Sequence, residues 1–588
     1  MSADTLVFDM SSQSEGSPQV FVKKDYLSIL DNQNQSYVGN QSVIDTSQLA
    51  NSNKYMNYRE AYIAMPLLLT LTGLTPIGGA IATYPAPFTP ATSAESADYV
   101  MGLRNWYGSM IHSFTLDYNG TTIVQQTPYS GMWNTFKLMT SLSLDDLTTQ
   151  GSTIGFFPDT STSVKFNTTN PDTNAPIGTY NNQNGNFGQT VSGAFSNLTI
   201  GNLGLLQRQT CWTFDPQGVA GSGSTFSTLI SASSLNLSFK SYIFNKVNGT
   251  QADDGTNITA STAGVFQVAI TASVMLKHIH SFFERVPLLK GVFMKLTFNL
   301  NQSNVSFTYT AGTGWTNVAV QSPLGGVSPL MLSAGSGASG SATLNTANYV
   351  ASVAVGGAVL TTQSSTAGVS SSPLSKSIQL VVPAYTFNPV FETSYLSSPV
   401  KKIIYTDIYQ YQIVNQIQSG TPFNNLITNG IANIKSVLVL PFFTQGTPSA
   451  TVAQALIPFQ SPFEPTGAGP TSPLCLLGNF NIQISGQNAI YNTEKYTYEQ
   501  FINQLYGANA VNGGMTDGLT SGLIGQLDFE TCYNYYYVNV GRMLPVEESV
   551  PKSVNIIGQN FSNFAINLFI FIEYGVEVSV DILTGARV

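Results

Sequence analysis

Hydrophobic and polar residues alternate over residues 110–118, the pattern of a β-strand with one buried face. Asn119-Gly120 follows, and this dipeptide favours a type I′ hairpin turn because both central residues need positive φ. A short returning strand near Ile123 leads to Thr127, a predicted N-cap, and to Pro128 at the first helical position. The predicted helix buries one apolar stripe, formed by Met132, Trp133, Phe136 and Met139.

The same order of elements returns in the second half of the chain. A strand containing Phe480, Ile482 and Ile484 precedes Ser485-Gly486, which takes the place of the first turn. Thr497 and Gln500 have the spacing of a capping box at the start of a second helix. We expect that helix to end at Gly507 and to bury a stripe of Tyr498, Phe501, Ile502 and Leu505.

A second repeated feature lies near the end of each half. Arg285 and Pro287 precede an alternating strand whose buried residues are predicted to be Met294, Leu296, Phe298 and Leu300. Arg542 and Pro545 similarly precede a strand that contains Ile566, Leu568, Ile570 and Ile572. That later strand also carries Phe569 and Phe571 on its other face, so we expect both of its faces to be covered.

These patterns predict an all-β protein of two tandem jelly-roll β-sandwiches (a double jelly roll) with short inserted helices and long loops. The inserted helices favour jelly rolls over immunoglobulin-like domains. The expected domains are an N-terminal arm at 1–54, a first jelly roll at 55–305 with a large loop insertion at about 148–267, an ordered extension at 306–376 and a second jelly roll at 377–588. The apolar stretch at 61–88 contains Pro66, Pro76 and Pro85, which favours a buried strand and a loop over a membrane span.

Composition narrows the possible functions. Charged residues make up only 9% of the chain, against about 25% in an average soluble domain, so we expect copies of the chain or partners to cover much of the surface. The net charge of −9 and the scattered Lys and Arg residues argue against direct nucleic-acid binding. Three widely spaced cysteines exclude a disulfide framework and fit a reducing compartment.

The candidate chemical motifs are weak. Gly335, Gly337 and Gly340 match a dinucleotide-binding pattern but lie in low-complexity sequence without a following acid. His278 and His280 could place two imidazoles on one side of a strand, although no third metal ligand is identifiable. The carboxylates that concentrate near the C-terminus have no spacing that pairs them for glycoside hydrolysis; they are Asp517, Asp528, Glu530, Glu547 and Glu548. We therefore predict no catalytic, cofactor-binding or metal-binding residues, and no enzyme activity.

Several longer segments resemble the major capsid proteins of polinton-like viruses and virophages, a double jelly-roll lineage. In the second half these segments are 381–411 (VVPAYTFNPVFETSYLSSPVKKIIYTDIYQY), 507–526 (GANAVNGGMTDGLTSGLIGQ), 533–554 (YNYYYVNVGRMLPVEESVPKSV) and 584–588 (TGARV). In the first half they are 57–69 (NYREAYIAMPLLL) and 117–139 (DYNGTTIVQQTPYSGMWNTFKLM). The resemblance is weakest at 147–268 and 306–375.

The resemblance implies a structural major capsid protein located in the virion and assembled inside the host cell. It implies a homotrimer that forms a pseudo-hexameric capsomer, and capsomers that tile an icosahedral shell around a double-stranded DNA genome. The implied partners are further copies of the chain, a single-jelly-roll penton protein and minor capsid proteins. The alternatives are a β-rich adhesin or carbohydrate-binding surface protein, which the lack of a signal-peptide pattern disfavours, and a β-sandwich glycosidase, which lacks a carboxylate pair.

Overall fold

The computed structural model describes the chain in segments. They are residues 19–33, 35–74, 88–89, 101–158, 165–166, 180–181, 208, 243–247, 250–252, 265–310, 314–321, 328–332, 343–344, 347–356, 358–364, 368–373, 377–444, 475–490, 495–511, 522–531, 533–541, 549–562, 565–582 and 585–588. Most described residues lie in antiparallel β-strands.

The strands up to the middle of the chain are β1 (Phe21–Leu30), β2 (Gln41–Asp45), β3 (Tyr55–Met56), β4 (Tyr62–Leu74), β5 (Phe88–Thr89), β6 (Met101–Leu103), β7 (Ile111–Tyr118), β8 (Thr121–Val124), β9 (Lys165–Phe166), β10 (Tyr180–Asn181), β11 (Ile243–Val247), β12 (Thr250–Ala252), β13 (Val265–Met275), β14 (Met294–Leu300), β15 (Ser303–Thr310), β16 (Gly314–Gln321), β17 (Leu330–Leu332), β18 (Thr343–Leu344), β19 (Ala347–Val355), β20 (Ala358–Ser364), β21 (Gly368–Pro373) and β22 (Gln379–Phe387). The strands that follow are β23 (Val400–Ile417), β24 (Pro422–Ile431), β25 (Ile434–Phe443), β26 (Leu477–Ile484), β27 (Gln487–Asn488), β28 (Tyr536–Asn539), β29 (Lys552–Asn560) and β30 (Ile566–Asp581).

The helices are α1 (Ser47–Ala50), α2 (Ser130–Ser141), α3 (Leu144–Ile154), α4 (Leu276–Ile279), α5 (Phe282–Arg285), α6 (Pro389–Leu396), α7 (Tyr498–Val511) and α8 (Gln526–Thr531), with one 3₁₀ turn at Tyr107–Met110. Helix α2 follows the β7–β8 hairpin and α7 follows the β26–β27 hairpin, so the predicted hairpin-plus-helix unit is present in both halves.

The second half of the chain forms a sandwich of eight consecutive strands. One sheet has the order β23-β30-β25-β28, and the other has the order β24-β29-β26-β27. When the eight strands are numbered along the chain, these orders are 1-8-3-6 and 2-7-4-5. This is the eight-stranded, two-sheet arrangement of a jelly roll.

The first half repeats this order with strands that are far apart in sequence. Strand β1 pairs with β22, β22 pairs with β4, and β4 pairs with β13, while the opposite sheet has the order β2-β14-β7-β8. Strands β1, β2, β4, β7, β8, β13, β14 and β22 therefore give the same 1-8-3-6 and 2-7-4-5 orders. The all-β fold of two tandem jelly rolls is thus confirmed by the strand pairing.

The first sandwich differs from the second in the size of its connections. The segment between β14 and β22 adds β19, β15 and β16 beside the part of β4 that β22 does not pair with. Strands β11 and β12 extend the sheet beyond β13, and β3, which pairs with β22, is its tenth strand. The described residues of 306–376 lie mostly in strands β15 to β21.

The strand pairing differs from the expected domain boundaries in two places. Residues assigned to an N-terminal arm form β1 and β2, one strand in each sheet of the first sandwich. Strand β22, assigned to the second jelly roll, is the eighth strand of the first. Sequence alone does not reveal this, because the partner of β1 lies more than half the chain away and β1 turns only Leu27 and Ile29 towards the core.

The two hairpin turns agree with the prediction. Asn119 and Gly120 have φ of 45° and 79°, and Ser485 and Gly486 have φ of 50° and 84°. Both turns therefore have positive φ at their two central residues, as a type I′ turn requires. The same backbone geometry at equivalent places supports the internal repeat.

Three local predictions are wrong. Helix α2 begins at Ser130 after Tyr129, a residue with φ of 57°, and the hydroxyl of Thr127 donates to Ile408 O at 2.9 Å instead of capping the helix. Helix α7 continues through Gly507 to Val511, because a glycine weakens a helix without ending it unless it adopts the left-handed conformation. The third error concerns the repeat: the counterpart of β14 is β29, since each is the seventh strand of its sandwich.

Candidate functional site

The described side chains build an extensive junction between the two sandwiches. Helix α2 of the first sandwich lies on the sheet β23-β30-β25-β28 of the second sandwich. It covers the face of that sheet that points away from the sheet β24-β29-β26-β27, and we call this face the outer face. The ring of Tyr129 meets Phe569 at 5.3 Å, and that of Trp133 meets Phe571 at 6.4 Å, both measured between centroids. Phe136 packs against Tyr535 and Tyr537 at 5.0 and 5.3 Å.

This packing explains the composition of β30. Ile566, Leu568, Ile570 and Ile572 point into the second sandwich, while Phe569 and Phe571 point to helix α2, and all six are buried. The prediction that both faces of this strand are covered is confirmed. The cover on one face comes from the other half of the chain, so the junction buries apolar area that stabilises the contact.

Hydrogen bonds fix the register of the junction. The hydroxyl of Tyr405 donates to Ile123 O at 2.6 Å, and the N–H of Thr406 donates to Ser281 Oγ at 3.0 Å. At the far end of α2, the N–H of Leu523 donates to Met139 O at 2.8 Å. Because Tyr405 is buried and lies near Asp407, its pKa is raised and the phenol stays a proton donor. Directional bonds of this kind select one relative orientation of the sandwiches.

A buried histidine–carboxylate pair also crosses the junction. Nδ1 of His280 accepts a hydrogen bond from the N–H of Phe282 at 3.2 Å, which places the proton on Nε2. Nε2 then donates to Oδ1 of Asp407 at 3.3 Å, and the hydroxyl of Tyr574 donates to Oδ2 at 3.3 Å. Both His280 and Asp407 are more than nine-tenths buried. This arrangement satisfies the buried carboxylate and links the residue that follows α4 to β23 and β30.

The C-terminus of the second sandwich lies against the first hairpin. The side-chain amide of Asn119 donates to Gly585 O and its carbonyl accepts from the N–H of Phe293 at 3.1 Å. Gly585 has φ of 68°, and a Cβ there would lie 2.9 Å from Gly291 O. The close approach therefore requires glycine at this position.

The histidine motif does not form a metal site. Leu276–Ile279 is a helical turn and not the expected strand, so the two imidazoles point to different surroundings. The ring of His278 packs edge-on against Trp106 at 6.3 Å, and burial lowers its pKa to about 4. Burial also lowers the pKa of His112, whose ring meets Tyr129 at 5.0 Å. Among the residues that the structure describes, no group of three or more His, Cys, Asp or Glu side chains is placed to hold a metal ion.

The remaining sequence candidates fall partly outside the described residues. The glycine motif at 335–340 and the carboxylates Asp517, Glu547 and Glu548 lie there. Asp528 and Glu530 lie on helix α8, where Gln526 donates to Glu530 at 3.2 Å. The 61–88 stretch contains β4, which is paired on both edges as expected of a buried strand. No helix in the described part of the chain is long and apolar enough to span a membrane.

The junction residues were not recognised in the sequence as a site. Asp407 is the clearest missed signal, because it is a carboxylate inside an otherwise uncharged alternating stretch of β23. Ser281 and Tyr405 carry no comparable signal, since both residue types are abundant throughout the chain.

No protein-family model matches the chain, and no curated protein sequence matches it. Similar solved structures include the Sputnik virophage determined by cryo-EM (10% identity, 98% of this chain and 90% of that one, TM-score 0.47). They also include the mavirus major capsid protein (9% identity, 98% of this chain and 92% of that one, TM-score 0.45). A third is the Faustovirus major capsid protein (9% identity, 97% of this chain and 94% of that one, TM-score 0.37).

Proposed function

We propose that this chain is a structural major capsid protein and not an enzyme. The observation that carries the proposal is the junction: two sandwiches of identical strand order are fixed together through α2 and the outer face of β30. Low charge and wide apolar contacts between the sandwiches suit a building block whose surface is shared with copies of itself. The resemblance of residues 381–411, 507–526 and 533–554 to capsid proteins supports the same role.

The geometry of the junction supports a homotrimer. The first sandwich presents helix α2 and the second presents a sheet face, so the contact joins two different surfaces. If the same two kinds of surface meet between copies of the chain, that contact forms a ring when its rotation closes. Three chains with two equivalent sandwiches each give six corners, and a pseudo-hexameric capsomer of this kind can tile an icosahedral shell.

The proposed assembly encloses a double-stranded DNA genome without binding it directly. The net charge of −9 supports this, because phosphate neutralisation needs a clustered cationic surface. The proposed location is the virion, after assembly inside the host cell. Further proposed partners are a single-jelly-roll penton protein at the shell vertices and minor capsid proteins.

Native mass spectrometry with negative-stain microscopy of the purified full chain tests this function. We expect a species of three times 63.0 kDa with a six-sided outline, or assembled shells. A stable monomer at all concentrations up to those of assembly overturns the proposal. Fibres or a sugar-cleaving activity favour the adhesin or the glycosidase instead.

A further inference from the structure

Two Asn-Gly dipeptides in the described part of the chain have different surroundings. One is Asn119-Gly120 in the β7–β8 hairpin, and the other is Asn429-Gly430 near the end of β24. An asparagine before glycine is prone to lose its side-chain ammonia, because glycine has no Cβ to shield its backbone nitrogen from the side-chain carbonyl carbon. The contacts of each dipeptide decide which of them can react.

The side-chain amide of Asn119 is held at both of its polar atoms. Nδ2 donates to Gly585 O, and Oδ1 accepts from the N–H of Phe293 at 3.1 Å. The backbone N–H of Asn119 also donates to Phe293 O at 2.8 Å. To bring its Cγ onto the nitrogen of Gly120, the side chain has to leave both partners, so the loss of two hydrogen bonds adds to the barrier.

Asn429 is exposed in an irregular part of an edge strand. Strand β24 is the first in the sheet order β24-β29-β26-β27. Its register with β29 shifts between Thr428 and Ile431, so β24 carries an extra residue there, as in a β-bulge. Asn429 and Gly430 are both exposed. Among the described residues, none holds the side-chain amide of Asn429 by a hydrogen bond.

The backbone nitrogen of Gly430 is accessible to that side chain. Its N–H donates to Thr428 Oγ1 at 3.2 Å, a single bond within the same strand. A Cβ placed on Gly430 would meet no atom within 4 Å, so the space around this residue is open. Exposed backbone of this kind opens more easily than the paired core of a sheet. The side chain of Asn429 can therefore turn onto the nitrogen of Gly430, whereas that of Asn119 is held away from Gly120.

We propose that Asn429 is a site of spontaneous deamidation and isomerisation, and that Asn119 is protected from the same reaction by its contacts with Gly585 and Phe293. This inference does not depend on the capsid role, because the reaction needs only the folded chain and water. The modification adds a carboxylate to β24, a strand that carries no charged residue.

The reaction proceeds through a cyclic imide. The nitrogen of Gly430 attacks Cγ of Asn429, and the bond from Cγ to the side-chain nitrogen breaks. The proton of the Gly430 N–H passes through water to the leaving nitrogen, which departs as ammonia. Water then adds to one of the two ring carbonyl carbons and breaks its bond to the Gly430 nitrogen. Opening at Cγ gives aspartate, and opening at the backbone carbonyl carbon gives isoaspartate. One water is consumed and one ammonia is released, with no oxidation or reduction.

Incubation of the folded full chain in oxygen-18 water, followed by peptide mass spectrometry, tests the proposal. The new carboxylate carries the heavy oxygen, and chromatography separates the aspartyl from the isoaspartyl peptide. We expect Asn429 to convert at least about tenfold faster than Asn119, which corresponds to a difference of about 1.4 kcal/mol between the two barriers. The matched control is the chain unfolded in denaturant, where both dipeptides lose their surroundings and are expected to convert at similar rates.

Two variants separate the two halves of the proposal. Gly430→Ala shields the attacking nitrogen at a position with open space, so we expect conversion at Asn429 to slow by about tenfold or more in a chain with an unchanged melting temperature. Deletion of residues 585–588 removes the acceptor of Asn119 Nδ2, so we expect faster conversion at Asn119 and an unchanged rate at Asn429.

Each outcome decides a different point. If Asn429 stays intact in the folded chain but converts in the unfolded one, it is not a modification site of the folded protein and the proposal is wrong. Equal rates at the two asparagines in the folded chain overturn the protective role of Gly585 and Phe293. Conversion at Asn429 that is as fast in Gly430→Ala as in the wild type overturns the cyclisation step. If the deletion variant does not fold, the comparison of the folded and unfolded wild-type chains still decides whether Asn119 is protected.

Discussion

The outer faces of the two equivalent sheets differ in what covers them. That of β23-β30-β25-β28 is covered by α2 and carries Phe569 and Phe571, whereas that of β1-β22-β4-β13 carries Lys24 and the exposed side chains of Tyr26 and Leu30. The same strand order thus has a permanently buried outer face in one half and a partly exposed one in the other. The difference teaches that strand order fixes the fold, while the side chains on the outer face decide whether another part of the same chain packs there.

The two sandwiches also differ in their titratable groups. All three histidines, His112, His278 and His280, lie in the first half of the chain. Because burial lowers the pKa of His112 and of His278, we expect responses to mild acid to begin in the first sandwich.

The largest effect is expected at the junction. Trp133→Ala removes a buried ring between α2 and Phe571 and leaves a cavity, so we expect a loss of about 3–5 kcal/mol in the free energy of unfolding. Denaturant unfolding measures the loss, and hydrogen exchange is expected to rise in β30 as well as in α2. Leu144→Ala at an exposed site is the control, with a change within about 0.5 kcal/mol. If Trp133→Ala loses as little stability as the control, the interpretation that α2 covers the outer face of β30 is wrong.

The next effect concerns pH. Burial lowers the pKa of His278 to about 4, with Lys277 and Lys137 opposing and Glu284 favouring its charged form. The unfolded chain protonates this residue near pH 6.5, so it binds more protons than the folded chain between about pH 6.5 and 4. The free energy of unfolding therefore falls with decreasing pH in that window, by about 1–3 kcal/mol from this group.

His278→Gln tests the pH effect. This variant keeps a polar side chain of similar size and removes the titration, so we expect a flatter dependence of the unfolding midpoint on pH between about 6.5 and 4. Hydrogen exchange in the wild type is expected to rise around Leu276–Ile279 before it rises in β30. An unchanged pH slope in the variant shows that other groups cause the acid sensitivity.

A smaller effect distinguishes the two hairpin turns. Asn119→Ala removes the contacts with Gly585 and Phe293 and places alanine at φ of 45°, so we expect a loss of about 1–2 kcal/mol. Ser485→Ala is the matched change at the equivalent position, where φ is 50°. We expect it to lower the free energy of unfolding by less than about 0.5 kcal/mol, because serine is hardly better suited to positive φ than alanine. Thermal unfolding of both variants measures the difference. Equal losses of stability in the two variants contradict a stabilising contact between the C-terminus and the first hairpin.

The smallest effect is a gain. Ser485→Asn gives the second turn the Asn-Gly dipeptide of the first, and asparagine tolerates positive φ better than serine. We expect an increase of a few tenths of a kcal/mol, up to about 1 kcal/mol, in the free energy of unfolding. Differential scanning calorimetry measures this shift. A lower melting temperature shows that the side chain of Ser485 has a role that the turn geometry does not explain.

Local sequence was sufficient for the hairpins and for the alternating strands. Asn119-Gly120 and Ser485-Gly486 define their turns through positive φ, and Met294, Leu296, Phe298 and Leu300 alternate because β14 has one buried face. Sequence was insufficient for β1, whose partner β22 is distant in the chain and whose exposed residues blur the alternation. It also misplaced the start of α2, because Thr127 makes a tertiary hydrogen bond to β23 that competes with the capping role.

The sequence by itself determined that the protein is all-β, that its halves repeat a hairpin and a helix, and that β30 is covered on both sides. These features follow from short-range periodicity and turn chemistry, which each residue expresses next to its neighbours. Only the tertiary structure decided which strands are equivalent, what covers β30, and where His280 and Asp407 meet. Those contacts join residues far apart in the chain, and their energy comes from burial and hydrogen bonding that exist only after the two sandwiches pack together.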